Sequence, residues 1–201
     1  MSVRFILASS SPRRRELLGS IGLRFDIIPS EIPEQRGQAE TPEEYVARLS
    51  REKARAVAEK NPSRWVIAAD TTVALDDHIL EKPADAEDAK RMLAMIAGHT
   101  HVVYTGVTLK RLDQNYLDTH VATSEVRMLP MTAHDIEWYV KTGEPLDKAG
   151  AYAAQGVGGM FIDSIHGSYT NVVGLPLALL FQMLRKAGID PLYNHPVNGE
   201  R

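Results

Sequence analysis

Residues 3–15 read VRFILASSSPRRR, an apolar run followed by a serine turn and a basic segment. The run 3–8 is typical of a short buried strand. Ser11 is a favourable N-cap, and Pro12 suits the first helical position because its missing N–H is not needed there. We therefore expect the chain to open as the strand–helix unit of an α/β protein.

The rest of the chain continues this alternation and then departs from it. Thr41 begins a capping box, and Asp85 and Thr132 are favourable N-caps for two further helices. The segments 101–112 and 116–129 resemble two long strands that flank a turn. This pattern predicts an α/β or α+β protein with a mixed sheet and a long β-hairpin.

The domain organisation follows from length and composition. The chain has 201 residues and contains no linker long or biased enough to separate independent domains. We expect a single domain over 1–190, followed by a loose polar tail over 191–201.

Composition excludes several classes of protein. Hydrophobic residues make up 44% and charged residues 24%, as in a folded globular protein. The net charge of −3 disfavours a nucleic-acid partner. The absence of cysteine excludes disulfides, thiolate zinc sites and cysteine nucleophiles. No apolar stretch is long enough to cross a bilayer, so we expect a cytoplasmic protein without a membrane partner.

The serine turn and the arginines after it are a candidate phosphate site. Free N–H groups at a helix N-terminus, the hydroxyl of Ser11 and arginine side chains together suit a phosphate. Helical spacing places Arg13 and Arg14 on the buried side and Arg15 towards solvent. A solvated basic turn is the alternative, which we favour for Arg15 alone.

The segment 66–71 reads VIAADT, an apolar strand that ends in an acidic residue. Such a strand delivers the carboxylate of Asp70 to the rim of the sheet, where α/β proteins bind their ligands. There it could orient water, accept a proton or hold Mg²⁺. An aspartate that merely forms a turn is an equally good interpretation of the residue taken alone.

Four further residues are candidates on weaker grounds. Gln155 lies in the Gly-rich segment 150–159, and its amide offers the donor and acceptor needed to contact a base edge. A Gly-rich bend in a sheet is the alternative. Lys53, Lys82 and Glu34 each have solvated surface charge as their default interpretation.

Taken together, these segments closely resemble the Maf family of nucleoside triphosphate pyrophosphatases. The resemblance runs from about Phe5 to Gly188. The segments that carry it are ASSSPRRRELL at 8–18, ADT at 69–71, EKP at 81–83, DKAGAYAAQG at 147–156 and GSYTNVVGLP at 167–176.

The resemblance implies an architecture and an activity. The fold would be the Maf/inosine-triphosphatase-like α/β fold, a twisted mixed sheet with flanking helices and two lobes around a cleft. The activity would be hydrolysis of a nucleoside triphosphate to the monophosphate and pyrophosphate with a divalent metal cation, Mg²⁺ or Mn²⁺. The protein would form a homodimer.

The resemblance also implies roles for individual residues. Asp70 matches the family's proton acceptor, and Arg13, Thr71 and Gln155 match its specificity positions. The remaining candidates are basic or acidic positions of the cleft: Lys53 and Lys82, with Glu34 as the acidic one. We expect Glu34 and Asp70 to hold the metal, and Ser11 and Arg14 to contribute to substrate binding.

The segment 149–156 resembles the branch of the family that acts on dTTP and UTP. The branch acting on 7-methyl-GTP resembles it less, because that branch has Ser-Glu-Gly where this chain has Ala154, Gln155 and Gly156. Specificity for 7-methyl-GTP is one alternative. Another is a nucleotide-binding regulator of cell division that acts through protein contacts, because the family is linked to inhibition of septum formation.

Overall fold

The computed structural model describes residues 3–37 and 39–191 of the chain. The predicted tail over 191–201 lies outside these residues except for Pro191. The helices and strands are β1 (Arg4–Leu7), α1 (Pro12–Ser20), β2 (Arg24–Ile27), α2 (Pro42–Lys60), β3 (Val66–Leu75), β4 (His78–Leu80), α3 (Ala86–Ile96), β5 (Thr100–Arg111), β6 (Tyr116–Met128), α4 (Ala133–Lys141), β7 (Ile162–His166), α5 (Tyr169–Val173) and α6 (Leu177–Lys186). Short 3₁₀ turns occupy Glu144–Asp147, Ala149–Ala151 and Val157–Phe161.

The helices begin where the capping residues predict. The side chain of Ser11 accepts a hydrogen bond from the backbone of the first turn of α1, and Asp85 does the same for α3. Thr41 and Thr132 each form a complete capping box. These caps satisfy N–H groups that have no partner within the helix.

Within the described residues, seven strands form one sheet in the order β2-β1-β3-β5-β6-β7, with β4 paired to β3. β1 pairs in parallel with both β2 and β3, whereas the β3–β4 and β6–β7 pairs are antiparallel. The predicted mixed α/β sheet is therefore confirmed. The predicted long hairpin corresponds to the neighbours β5 and β6, which are joined by a turn over 112–115.

The chain folds into two compact units. The first draws its described residues from Met1–Asp70, Thr105–Ala122 and Gly174–Arg201, and the second from Thr71–Tyr104 and Thr123–Val173. The core of the second unit packs α3 and α4 together with parts of four strands. Ala89, Met92, Leu93 and Ile96 of α3 are all buried there, as the periodicity of the helix predicts.

In the first unit β1 and β3 bury side chains on both faces of the sheet. Ile6, Val66 and Ala68 pack with residues of α2, whereas Phe5 and Ile67 belong to a separate cluster on the other face. Successive strand residues point to opposite faces, so the side of Ala68 is also the side of Asp70. The sheet thus directs the Asp70 carboxylate towards α2.

Gly106 of β5 lets α2 lie close to this face. A Cβ atom at Gly106 would lie 2.3 Å from the carbonyl oxygen of Val46 in α2. Any other residue would therefore push the helix away from the strand. Within the described residues, no helix combines the length and apolar character needed to cross a membrane.

Candidate active site

Asp70 lies in the middle of β3, so the prediction that the strand ends at this residue is wrong. Thr71 and Thr72 interrupt the apolar run, but β-branched residues suit an extended backbone and the strand continues to Leu75. The register pairs Leu7 of β1 with Ile67, so Asp70 lies past the carboxyl end of the parallel pair. The carboxylate is therefore at a rim of the sheet, although not at the end of its own strand.

Lys53 is buried, which contradicts its default interpretation as a solvated lysine. It lies on α2 one helical turn from Leu49 and one from Val57, in the apolar stripe of the helix. Only 6% of its side chain is exposed, and its Nζ donates to Oδ1 of Asp70 at 2.6 Å. A buried ammonium requires such a partner, because an unpaired charge away from water is costly.

Glu34 completes this cluster. Its Oε1 lies 2.5 Å from Nζ of Lys53, and its side chain is 43% exposed. The loop that carries Glu34 is held on α2, because Arg48 donates to the carbonyl oxygen of Gln35 at 2.9 Å and Tyr45 donates to that of Glu34 at 3.4 Å. Lys53 thus joins two carboxylates, one buried and one facing solvent.

The serine turn is fastened by Arg14. Nε of Arg14 donates to the carbonyl oxygen of Gly174 at 2.8 Å, and Nη1 donates to Oγ of Ser9 at 3.3 Å. The same Oγ accepts from the backbone N–H of Ser11 at 3.2 Å. Much of the Arg14 guanidinium is therefore engaged in holding the turn, a role that the sequence did not indicate.

Electrostatics link Arg14 to the carboxylate cluster. Burial lowers the pKa of Arg14, the charge of Asp70 opposes this, Arg13 adds to the lowering, and Glu34 again opposes it. The basic first turn of α1 and the two carboxylates therefore act on one another within the first unit.

The helical phase predicted for the arginines agrees with their exposure. Arg13 and Arg14 are half-buried, whereas Arg15 is exposed. Ser11 is half-buried at the N-cap of α1, where N–H groups of the first turn are directed towards any anion. This end of the helix has the donors and the cation that a phosphate group requires.

Three of the predicted site residues belong to the second unit. Thr71 follows Asp70 in β3 and points to the opposite face of the sheet. Lys82 is exposed in the segment after β4, and the neighbouring carbonyl oxygen of Glu81 accepts from the N–H of Gly150 at 3.2 Å. Gln155 is exposed in the Gly-rich segment.

Sequence reasoning missed two polar contacts that hold the Gly-rich segment. Nε2 of His101, which is fully buried, lies 2.8 Å from the hydroxyl of Tyr152. The hydroxyl of Tyr139 donates to Oε2 of Glu144 at 2.7 Å. Their partners are distant along the chain or depend on a loop conformation, so no local pattern marks them. The Gly-rich segment has a 3₁₀ turn at each end and irregular backbone over 152–156, and it is not a bend in the sheet.

The donor set suits a hard cation. In the described ranges, no three histidine, aspartate or glutamate side chains are grouped so as to hold a metal. Glu34 and Asp70 nevertheless converge through Lys53 and offer only oxygen atoms. Mg²⁺ commonly binds through one or two carboxylates together with substrate phosphates, so the pair fits that mode rather than an all-protein cage.

Comparisons with known proteins find sequence relatives along nearly the whole chain. A family model described as "Maf-like protein" matches residues 4–187. A dTTP/UTP pyrophosphatase of Anaeromyxobacter dehalogenans (strain 2CP-C) is 50% identical over 98% of this chain and 100% of its own length. A dTTP/UTP pyrophosphatase of Myxococcus xanthus (strain DK1622) is 48% identical over 92% of both chains.

Solved structures show a weaker similarity. A HAM1 protein from Coxiella burnetii covers 92% of this chain and 99% of its own, with 12% identity and a TM-score of 0.48. The assignment therefore rests on the sequence matches, which extend over nearly the whole chain. The chain belongs to the Maf-like protein family.

Proposed function

We propose that this chain hydrolyses dTTP and UTP to the nucleoside monophosphate and pyrophosphate. The observation that carries the proposal is the cluster of Asp70, Lys53 and Glu34, in which a buried carboxylate is held by a buried ammonium. The names of the relatives, at about half identity over almost their full length, support the same reaction and the same two substrates.

Asp70 is the proposed proton acceptor. Its Oδ1 receives a hydrogen bond from Lys53, which fixes the carboxylate. The other oxygen, Oδ2, would accept the proton of the water that attacks the α-phosphorus. A carboxylate with a fixed orientation is suited to this step because general-base catalysis requires the base within hydrogen-bond reach of the water.

Cationic groups are proposed to stabilise the triphosphate and the leaving pyrophosphate. Arg13 lies in the first turn of α1, where Ser11 and the free N–H groups add further donors. Lys53 and Lys82 would supply additional positive charge. Phosphoryl transfer depends on this kind of electrostatic stabilisation, because charge spreads over the phosphate oxygens in the transition state.

Glu34 and Asp70 are proposed to hold a divalent cation, Mg²⁺ or Mn²⁺. Such a cation supplies charge neutralisation of the phosphate oxygens. Lys53 keeps the two carboxylates together when no substrate is bound, which lowers the repulsion between them.

Base selection is proposed to depend on Gln155 and Thr71. The amide of Gln155 can accept from N3–H of uracil or thymine and donate to an adjacent carbonyl oxygen. Gln155 is exposed and therefore accessible to a base.

One assay tests the function. The purified protein is incubated with dTTP, UTP, CTP, GTP and 7-methyl-GTP, with Mg²⁺ or Mn²⁺ and with EDTA as control, in water enriched in ¹⁸O. We expect dTMP and UMP that carry the label, together with unlabelled pyrophosphate. Binding of dTTP without turnover would instead support a nucleotide-binding regulator, and preferential cleavage of 7-methyl-GTP would change the substrate.

A homodimer in the cytoplasm is part of the same proposal, supported by the family resemblance. Sedimentation equilibrium of the purified chain tests the dimer, and fractionation of cells that express it tests the location.

A further inference from the structure

Tyr139 and Glu144 hold the Gly-rich segment at points on both sides of Gln155. The hydroxyl of Tyr139 accepts from the N–H of Ala153 at 3.0 Å and donates to Oε2 of Glu144 at 2.7 Å. The carboxylate of Glu144 in turn accepts from the N–H groups of Val157 and Gly158, at 3.0 and 2.8 Å. Two connected side chains thus fasten the backbone before and after the residue proposed to contact the base.

The packing around these contacts leaves little room for another arrangement. The ring of Tyr139 is fully buried and packs against Phe161, with 5.5 Å between ring centroids. Gly156 has φ of 139°, and a Cβ atom there would lie 2.1 Å from Oε1 of Glu144. The backbone next to Gln155 can therefore approach the carboxylate only because residue 156 is glycine.

Glu144 is held as a carboxylate. Burial raises its pKa, but the hydrogen bonds from Tyr139, Gly158 and Val157 outweigh this effect and lower the pKa below its usual value. The charge of Lys148 acts in the same direction, and Nζ of Lys148 donates to the carbonyl oxygen of Glu144 at 2.8 Å. Both oxygen atoms of the ionised Glu144 accept hydrogen bonds, three in total. In a glutamine amide only the oxygen accepts, because the nitrogen is a donor.

We propose that Tyr139 and Glu144 are positioning residues for base selection, which they serve by fixing the backbone that carries Gln155. This inference rests on the proposed function. A glutamine amide pairs with uracil in one orientation and with cytosine when it is turned over, because its donor and acceptor then exchange places. Gln155 can therefore separate the two bases only if its amide meets the base edge from one position, and the backbone held on both sides of it sets where the side chain starts.

The test compares UTP with CTP, which differ at the edge that Gln155 would contact. We expect Tyr139→Phe and Glu144→Gln to lower the ratio of kcat/KM for UTP over CTP by about tenfold, because a misplaced polar group loses its discrimination. Glu137→Gln is the matched control, since Glu137 is on α4 and pairs with Lys141 on the exposed face. Tyr139→Phe keeps the packed ring, so a folded variant is available.

A double-mutant cycle separates positioning from general stability. If Tyr139 acts through Gln155, Tyr139→Phe should leave the UTP/CTP ratio unchanged when Gln155→Ala is already present. An equal loss in both backgrounds, an unchanged ratio in both single variants, or a wild-type protein that does not distinguish UTP from CTP would each overturn the inference.

Failure of this inference can be distinguished from failure of the proposed function. Absence of pyrophosphate release by the wild-type protein overturns the function, whereas the inference is measured by ratios between variants. The ratio of the dissociation constants for UTP and CTP, measured by calorimetry, gives a second measure of base discrimination that does not depend on turnover.

Discussion

Nζ of Lys53 and Oδ1 of Asp70 lie 2.6 Å apart, and 6% and 9% of the two side chains are exposed. The pair joins the apolar stripe of α2, where Leu49 and Val57 are buried, to the middle of β3. Burial of two charges is costly unless they satisfy one another, so the pair is weak evidence for stability and better evidence for a site.

Asp70→Asn should nearly abolish turnover while the protein stays folded. Asparagine is almost isosteric but cannot accept the proton, and removal of a general base typically lowers the rate about 10²–10⁴-fold. Lys53 retains Glu34 as a partner in this variant. Pyrophosphate release from dTTP is measured beside Asp113→Asn, an exposed aspartate paired with Arg111. If Asp70→Asn keeps more than a few per cent of kcat, the base is another group.

Lys53→Met should destabilise the fold as well as the activity. The apolar replacement leaves Asp70 buried without its cation, and breaking a buried pair in this way costs about 3–5 kcal/mol. Urea unfolding gives the change in free energy, with Lys60→Met as the control because Lys60 is exposed on the same helix. Equal stability of the two variants would show that water already solvates Asp70.

Arg13→Ala should impair triphosphate cleavage more than Arg15→Ala. Arg13 is half-buried in the first turn of α1 and Arg15 is exposed, so only the former is placed to contact phosphate. Loss of a charge-assisted hydrogen bond costs roughly 1.5–3 kcal/mol, which corresponds to a loss of about tenfold or more in kcat/KM. Equal losses in the two variants would contradict the helical phase that places Arg13 inward and Arg15 outward.

Features set by neighbouring residues, such as helix caps, could be predicted from the sequence better than features set by contacts between distant parts of the chain. The caps at Ser11, Thr41 and Thr132 act within one helical turn, so the starts of α1, α2 and α4 could be predicted from neighbouring residues. The burial of Lys53 depends on a strand from another part of the chain. One signal did exist, since a lysine between Leu49 and Val57 on the apolar face of a helix requires a carboxylate partner.

The Gly-rich segment could be recognised from its own residues, but its contact partners could not. Its glycines indicated close backbone approach, and Gly156 does approach the carboxylate of Glu144. The group that the glycines approach could not be predicted, because Tyr139 and Glu144 look like ordinary residues at the end of a helix. The residues next to a glycine in the sequence do not indicate which distant side chain that glycine contacts.

Stability should fall between pH 7.5 and pH 5 because of His101. Burial lowers the pKa of His101 to about 4 from its ordinary 6.5, so in this range the unfolded chain binds a proton that the folded protein does not. The contribution of neutral His101 to the free energy of unfolding is thus fully present above about pH 6.5 and is lost as the pH falls towards 4. The expected loss at pH 5 is about 2 kcal/mol.

Urea unfolding at the two pH values measures this dependence in the wild-type protein and in His101→Gln, which keeps a polar partner for Tyr152. The variant should lose most of the pH dependence. His99→Gln is the control because His99 is exposed. The same slope in wild type and His101→Gln would assign the effect to other groups.

Gln155→Glu should reverse part of the base preference. A carboxylate can only accept hydrogen bonds, so it would repel the carbonyl oxygen of uracil or thymine that the amide contacts. The base of 7-methyl-GTP carries positive charge and presents N1–H and N2–H donors, which a carboxylate favours. An unpaired polar group in a binding site changes discrimination by about 1–3 kcal/mol, so kcat/KM for dTTP and UTP should fall about tenfold relative to 7-methyl-GTP.

Both substrate classes are measured on both proteins at one fixed Mg²⁺ concentration, and Gln114→Glu, in the turn between β5 and β6, controls for the added charge. The ratio is the decisive quantity, because a purine needs more space than a pyrimidine and the absolute rate on 7-methyl-GTP can stay low for that reason alone. If the variant prefers dTTP and UTP as strongly as the wild-type protein does, the side chain of Gln155 does not contact the base. Selection would then belong to backbone N–H and carbonyl groups of the Gly-rich segment, which this substitution leaves in place.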